Sequence, residues 1–296
     1  MYQEIEANKR NSWILVAVVT SVLILLGYIL GSYWGSYYGG IILAVLIALI
    51  ASLSAYYSGD KMILAFSKAR RIEKRDYPQL FNVVEELTIA AGLPMPAIYV
   101  IDDSAPNAFA TGRNPEHASI AITTGLMDKL GRDELQGVMA HEMSHVANRD
   151  ILFAMMVGIM VGSIVLLSDF FLRSLWWSGG RRRRKSGSGK GDAVIMLVAI
   201  VLAILAPIFA KLLQMAVSRQ REYLADASAA KLTRYPEGLA SALEKIAHDR
   251  EVLEVANRAT QHLYIVNPIK PFEKRAKNLF STHPPIEDRV ERLRAM

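Results

Sequence analysis

His141, Glu142 and His145 carry the clearest chemical signal in the sequence, in the stretch HEMSH. Residues four positions apart lie on one face of a helix, so both imidazoles can bind the same cation. A glutamate beside them is placed to take a proton from a water molecule on that cation. The pattern predicts a hydrolytic zinc site with two histidine ligands and Glu142 as the catalytic base. The alternative is a pair of histidines that decorate a helix surface.

A third protein ligand must come from elsewhere in the chain, because a catalytic zinc ion takes three and keeps one position for water. The chain has no cysteine, which leaves histidines and carboxylates. Glu222 and Asp226 lie four positions apart in the stretch SRQREYLADASAA, and such a pair is by itself common on solvated surfaces. The remaining histidines are His117, His248, His262 and His283.

Hydrophobic runs flank these residues and must position them. No residue from Asn11 to Gly59 is charged, which leaves room for two membrane spans, near Trp13–Leu30 and Tyr38–Tyr57. Tyrosines and a tryptophan in the turn between them are typical of a bilayer surface. Two shorter runs follow at Ile151–Ser168 and Ala193–Ala210, at the lower limit of spanning length.

Basic residues indicate how these runs are oriented. They flank the first two runs on one side only, so the positive-inside rule predicts a cytoplasmic N-terminus and a cytoplasmic segment after residue 59. The second pair of runs encloses the basic cluster Arg181–Lys185, to which we assign no role. That pair either crosses the bilayer or forms a hairpin that only dips into it.

The sequence therefore divides into four parts: a transmembrane hairpin (1–58), the first half of a catalytic domain (59–150), a second hydrophobic hairpin (151–217) and the second half of that domain (218–296). Hydrophobic periodicity in the catalytic halves predicts the following elements. These are helices at Pro78–Ala91, Arg132–Asp150 and Pro236–Asn257, and strands at Ala97–Ile101 and Ala118–Thr123.

The second hairpin determines which residues meet. HEMSH precedes its first run, and the Glu222 pair follows its second. If the two runs pair antiparallel, their cytoplasmic ends come together and Glu222 becomes the third zinc ligand. Asp226 can then accept a hydrogen bond from the outer N–H of a ligand histidine.

In this order, HEMSH, then Arg219, Glu222 and Asp226 in the pattern R-x-x-E-x-x-x-D, then STHPP, the sequence resembles the HtpX-type membrane zinc metalloproteases. These are gluzincins related to the CAAX prenyl endoproteases. The resemblance implies a mainly α-helical membrane protein, with four hydrophobic helices and a cytoplasmic α+β gluzincin-type domain containing a small β-sheet.

The same resemblance assigns roles to residues. It implies one Zn²⁺ per chain bound by His141, His145 and Glu222, with Glu142 as the general base. Supporting positions around the ligands are Asp226, Asp150 and Arg219.

Two further roles are predicted from residue chemistry. His283 precedes two prolines that stiffen its backbone, and it is our candidate for the catalytic donor to the oxyanion. The stretch NAFATG can form a sheet edge on which a substrate strand pairs, through Asn107, Ala108, Phe109 and Ala110. The alternatives are a histidine in a turn and a plain loop-and-strand segment. His117, His248 and His262 are interpreted as ordinary histidines.

These predictions combine into a membrane-bound zinc endopeptidase of the plasma membrane. By the resemblance, its partners are misfolded or unassembled membrane proteins within the lipid bilayer. The net charge of +6 is concentrated beside hydrophobic runs, where it indicates orientation, so we expect no nucleic-acid partner. The competing hypotheses are an inactive membrane scaffold and a transporter-like protein with a structural zinc site.

Overall fold

The structure, a computed structural model, describes residues 2–33, 36–160, 219–249, 264–265 and 284–296, and positions 194, 197, 198, 200, 201, 204, 205, 208 and 251. Its helices are α1 (Tyr2–Tyr33), α2 (Tyr37–Phe66), α3 (Pro78–Ala91), α4 (Thr124–Lys129), α5 (Arg132–Ala147), α6 (Asp150–Met160), α7 (Arg219–Thr233), α8 (Pro236–His248) and α9 (Ile286–Arg294). Its strands are β1 (Arg70–Arg71), β2 (Ala97–Ile101), β3 (Ala108–Gly112) and β4 (Ala118–Thr123).

The first two helices form a close antiparallel pair. A Cβ atom on Gly27 would lie 2.5 Å from both the Ala44 Cβ and the Gly40 carbonyl oxygen, so the backbones approach as only small residues allow. The helix α2 does not end at Tyr57 but continues through Gly59 to Phe66. Its last turns carry Ile63 and Leu64 into the protein core, which stabilises the helix beyond the hydrophobic run.

One helix in the described part of the chain, α2, is long and apolar enough to cross a membrane, with a mean hydropathy of 2.3 and 17% of that stretch buried. The apolar part of α1, Arg10–Leu25, is shorter. The four hydrophobic helices predicted from the sequence are therefore not all present among these residues. The second hydrophobic hairpin lies largely outside them and stays a prediction, as does its mode of insertion.

A four-stranded sheet with the order β1-β2-β4-β3 separates two cores. The central pair β2 and β4 is parallel, and β3 pairs antiparallel with β4 at one edge. Successive side chains alternate between the faces. Ile120 and Ile122 pack with α3, α5 and α8, whereas Phe109 and Ala121 pack with residues of α1, α2 and α6. The sheet thus joins the catalytic helices to the hydrophobic ones.

The sequence prediction of one helix from Arg132 to Asp150 is wrong at its C-terminal end. Helix α5 stops at Ala147, and Arg149 adopts the left-handed conformation with φ 58° before α6 begins. That conformation costs a non-glycine residue about 1–2 kcal/mol. Helix α6 therefore does not continue α5 in a straight line, and most of its described side chains are buried against residues of α1 and α2.

The predicted helix from Pro236 to Asn257 is also too long. Helix α8 ends at His248, and Asp249 is extended. The Asp249 carboxylate lies 2.7 Å from the Lys129 Nζ at the end of α4. This ion pair stabilises the extended conformation of Asp249. The predicted helix at Pro78–Ala91 and the strands at Ala97–Ile101 and Ala118–Thr123 are confirmed at both ends.

The contact between α5 and α8 leads to a first prediction. A Cβ on Gly137 would lie 2.6 Å from the backbone nitrogen of Leu239, so Gly137→Ala forces the two helix backbones apart. The alanine gains up to about 1 kcal/mol in helix propensity, but overpacking against backbone costs about 1–3 kcal/mol. We expect a net loss of stability, measured as a lower midpoint of thermal unfolding in detergent.

Gly131→Ala is the matched control at the start of the same helix, where the added Cβ meets nothing closer than 3.6 Å. Equal midpoints for the two variants would contradict the packing argument.

Candidate metal centre

Three donor groups converge where α5 meets α7. His141 and His145 lie one turn apart on α5, with their Nε2 atoms 3.2 Å apart. Helix α7 brings Glu222 to them: one carboxylate oxygen lies 3.6 Å from the His141 Nε2, and the other lies 3.6 Å from the His145 Nε2. His141 and Glu222 are buried. The structure therefore brings together the three residues predicted as ligands.

The spacing of these donors fits a zinc ion. Zinc lies about 2.0–2.2 Å from nitrogen and oxygen ligands, so tetrahedral ligands are separated by roughly 3.3–3.6 Å. The observed separations of 3.2 and 3.6 Å agree with this geometry. Two imidazoles and one carboxylate are also a donor set of catalytic zinc sites, which leave a fourth position open. His141, His145 and Glu222 would hold the ion.

Each ligand histidine is oriented by a carboxylate behind it. The His141 Nδ1 lies 3.0 Å from Asp226, and the His145 Nδ1 lies 3.0 Å from Asp150. A proton on each Nδ1 donates to the carboxylate, which leaves the Nε2 lone pair directed at the centre. Asp150 occupies this place because the left-handed Arg149 turns the chain back towards α5.

Two buried arginines contact these carboxylates, and neither was predicted from the sequence as a site residue. Arg289 on α9 donates two hydrogen bonds to Asp226, of 2.8 and 2.7 Å, and its guanidinium also lies 3.5 Å from Glu222. Arg221 on α7 lies 4.0 Å from the other oxygen of Asp150. The result is two chains of the form arginine–aspartate–histidine, one for each imidazole ligand.

Arg219, the arginine named from the sequence, is the first residue of α7 and is exposed. Arg221 is the arginine of that helix that faces the site. A signal for Arg289 exists in the sequence, because it lies with Val290 and Leu293 on the buried side of an amphipathic helix. A charged residue on an apolar face indicates a buried partner.

Burial and hydrogen bonding oppose each other at the ligands. Burial lowers the pKa of His141, but Asp226 and Glu222 outweigh it and raise that pKa to about 9. Burial likewise lowers the pKa of His145, and Asp150 raises it overall. Burial opposes ionisation of Asp226, yet the charge of Arg289 keeps the pKa of its carboxyl below the ordinary value. In the absence of metal the carboxylates hold protons on the imidazoles, which a bound cation would displace.

Glu142 lies on the side of the site that faces β3. Burial raises the pKa of its carboxyl, while the two histidines and a hydrogen bond from the backbone of Ala110 lower it by less. A carboxyl with a raised pKa is a better proton acceptor at neutral pH than an exposed one. Glu142 is thus positioned between the ligand histidines and the edge strand.

The predicted substrate edge has a more restricted geometry than the sequence suggested. The backbone of Asn107 bonds to Thr123 of β4, so it faces the sheet interior. The Ala108 carbonyl accepts a hydrogen bond from the Ile265 N–H, and the Phe109 ring packs edge-on against Tyr264. Among the described residues, no such partner covers the Ala110 carbonyl or Gly112 on the outer side of β3, whereas the Ala110 N–H bonds to Glu142.

The other predicted histidines are placed as follows. His117 and His248 are exposed and bond to Asn114 and Glu244 within their own segments, as expected of ordinary histidines. His262 and His283 lie outside the described residues. The oxyanion role of His283 therefore stays a prediction.

A site of this kind defines a class of protein, the metallopeptidases in which a water-activating glutamate adjoins two helical histidines. The sequence profile of Peptidase family M48 matches residues 74–296, and the chain belongs to that family. It is 50% identical to a Protease HtpX homolog of Dictyoglomus thermophilum, over the whole of this chain and 94% of that protein. It is 42% identical to one of Thermoanaerobacter pseudethanolicus, over the whole chain and 98% of that protein.

A solved structure supports the fold. The crystal structure of S. mikatae Ste24p matches 99% of this chain and 67% of that one, with a TM-score of 0.51 and 22% sequence identity. The protein is therefore an HtpX-type member of the family, and it is a protease.

The arginine behind His141 leads to a second prediction. Arg289→Lys keeps one charge beside Asp226 but loses the two-pronged hydrogen bond. We expect zinc affinity to fall about tenfold, the lower end of what loss of a supporting contact costs. Competition with a chelating dye measures it.

Arg294→Lys is the control on the same helix, because Arg294 pairs with Glu237 and Glu244 at the exposed surface. If both variants bound zinc as tightly as the parent, Arg289 would not position the ligands.

Proposed function

We propose that the protein is a zinc-dependent endopeptidase that cleaves membrane proteins at the cytoplasmic face of the plasma membrane. The observation that carries this proposal is the convergence of His141, His145 and Glu222, with Glu142 directed towards an edge strand. The ligand set supports metal-assisted hydrolysis, and the edge strand supports an extended polypeptide as the substrate.

Zinc would supply a water molecule acidified towards neutral pH and a positive charge that polarises the scissile carbonyl. Glu142 accepts the water proton and then returns it to the leaving amine. The burial of Glu142 favours both proton transfers, because it raises the pKa of the carboxyl towards neutral pH. Asp226 and Asp150 keep the imidazoles in the orientation that directs Nε2 at the metal.

The substrate strand would pair with β3 beyond Ala108, whose carbonyl already bonds to Ile265. The Ala110 carbonyl and the backbone of Gly112 point to the same side of β3 as the Ala108 carbonyl, since alternate residues of an antiparallel strand do so, while the Ala110 N–H bonds to Glu142. A scissile bond held there lies beside Glu142. We infer that His283, which precedes α9 in the sequence, donates to the oxyanion.

The direction of α2 supports a cytoplasmic active site. Basic side chains follow this helix, and the turn before it carries none. The resemblance to HtpX-type proteases supports misfolded or unassembled membrane proteins as substrates, in quality control of the membrane. A protease fixed beside the bilayer would reach such chains where they emerge.

The role of Glu142 leads to a third prediction. Glu142→Gln removes the proton acceptor and keeps the size of the side chain, so cleavage of casein falls at least about a hundredfold while zinc content is retained. Metal analysis and a fluorescent casein assay measure both quantities. Chelation of the parent enzyme abolishes cleavage, and added zinc restores it.

Asp133→Asn is the control, because it removes one carboxylate from the exposed first turn of the same helix. Retained cleavage in Glu142→Gln would refute the mechanism, and cleavage that survived complete loss of metal would refute the zinc.

A fourth prediction concerns orientation. The chain has no cysteine, so Ser36→Cys before α2 and Asp133→Cys on α5 each give a single labelling site. We expect an impermeant maleimide to label Ser36→Cys in intact cells, and Asp133→Cys only after lysis. The opposite pattern would place the catalytic domain outside the cytoplasm.

A further inference from the structure

The turn between β3 and β4 lies against the C-terminal third of α2, at Tyr56 and Tyr57. The guanidinium of Arg113, the first residue of this turn, lies 5.3 Å from the centre of the Tyr57 ring and 5.9 Å from that of Tyr56. Both distances are within the range of a cation–π contact. Tyr57 is 59% exposed and Tyr56 is 38% exposed, and Arg113 itself is half-buried, so the rings brace the cation without enclosing it.

The positions of the tyrosines relate this contact to the bilayer. Tyr37 and Tyr38 begin α2, and their rings contact each other and Tyr28. Tyr57 follows Tyr38 by 19 residues, or about 28 Å of helix, which matches the roughly 30 Å thickness of the hydrocarbon layer. Tyrosines prefer both boundaries of that layer. Tyr56 and Tyr57 therefore lie at headgroup level, followed directly by the charged Asp60 and Lys61.

The charge at this level favours an anion. Four exposed basic residues follow Tyr57 along the chain, at Lys61, Lys68, Arg70 and Arg71. Glu116 is the acidic residue of the turn itself, and within the described residues no ion pair up to 4.0 Å joins it to Arg113. A half-buried guanidinium that is braced on two rings is suited to bidentate binding of phosphate.

We propose that Arg113, held by Tyr56 and Tyr57, binds the phosphate of an anionic lipid headgroup and docks the β3–β4 turn on the bilayer surface. The proposal rests on the crossing of the membrane by α2. It adds a lipid-binding site that is separate from the metal centre.

This contact fixes the height of the active site above the bilayer. The edge strand runs from Ala110, whose backbone bonds to Glu142, to Arg113 in three residues, or about 10 Å. A substrate segment that leaves the bilayer beside Arg113 reaches the edge within a few residues. Loss of the lipid contact therefore affects substrates embedded in a bilayer more than soluble ones.

The first measurement locates the turn. Glu116→Cys carries a fluorophore at an exposed position of the turn, in protein reconstituted into nanodiscs with a quencher on the lipid headgroups. Lys231→Cys, exposed at the C-terminal end of α7, is the control. We expect strong quenching of the first probe and weak quenching of the second. Equal quenching of the two probes would overturn the docking.

The second measurement tests the lipid phosphate. We compare Arg113→Gln with Lys231→Gln for the ratio of two cleavage rates, on a substrate embedded in the same nanodisc and on a soluble peptide. With anionic lipid, Arg113→Gln lowers this ratio about fivefold, the effect expected of one basic side chain at an anionic surface. Lys231→Gln does not lower it.

With purely zwitterionic lipid the difference between the two variants shrinks. A ratio for Arg113→Gln equal to that of Lys231→Gln in anionic lipid would overturn the proposal. The soluble peptide separates this outcome from failure of the protease function, because an inactive parent enzyme cleaves neither substrate.

Discussion

The burial of charge at the metal centre is the constraint on which the rest of the structure depends. Four carboxylates, those of Glu142, Asp150, Glu222 and Asp226, are buried within one small volume, together with the guanidinium groups of Arg221 and Arg289. With neutral imidazoles this set carries two excess negative charges, which is the charge that one Zn²⁺ would neutralise. Buried charges that are left uncompensated cost several kcal/mol each, so the helices must bring the partners together accurately.

The same constraint explains why distant parts of the chain meet at one place. The left-handed turn at Arg149 has a cost in backbone energy, and it places Asp150 at the beginning of α6, within hydrogen-bonding distance of His145. Helix α6 packs in turn on α1 and α2. The orientation of one metal ligand is thereby linked to the two N-terminal hydrophobic helices, although α5 and α6 do not form one continuous helix.

Features that depend on local periodicity were predictable from the sequence. The spacing of His141 and His145, the spacing of Glu222 and Asp226 and the limits of β2 and β4 all follow from repeats of a few residues. Features that depend on distant partners were not. Nothing near Arg289 in the sequence identifies Asp226 as its partner, and nothing near Ala108 indicates that Ile265 occupies its carbonyl. The stop of α5 at Ala147 did have a local signal that was missed, because Asn148 follows the last helical residue and the basic His145 lies in the last turn.

The position of Arg289 near the C-terminus also determines when the metal centre can form during synthesis. Ribosomes synthesise the chain from its N-terminus, and Arg289 follows the ligand histidines by more than 140 residues. Until α9 emerges, Asp226 lacks the cation that lowers the pKa of its carboxyl and the two hydrogen bonds that hold it beside His141. The metal centre of the nascent protein would therefore be completed only when almost the whole chain has been synthesised.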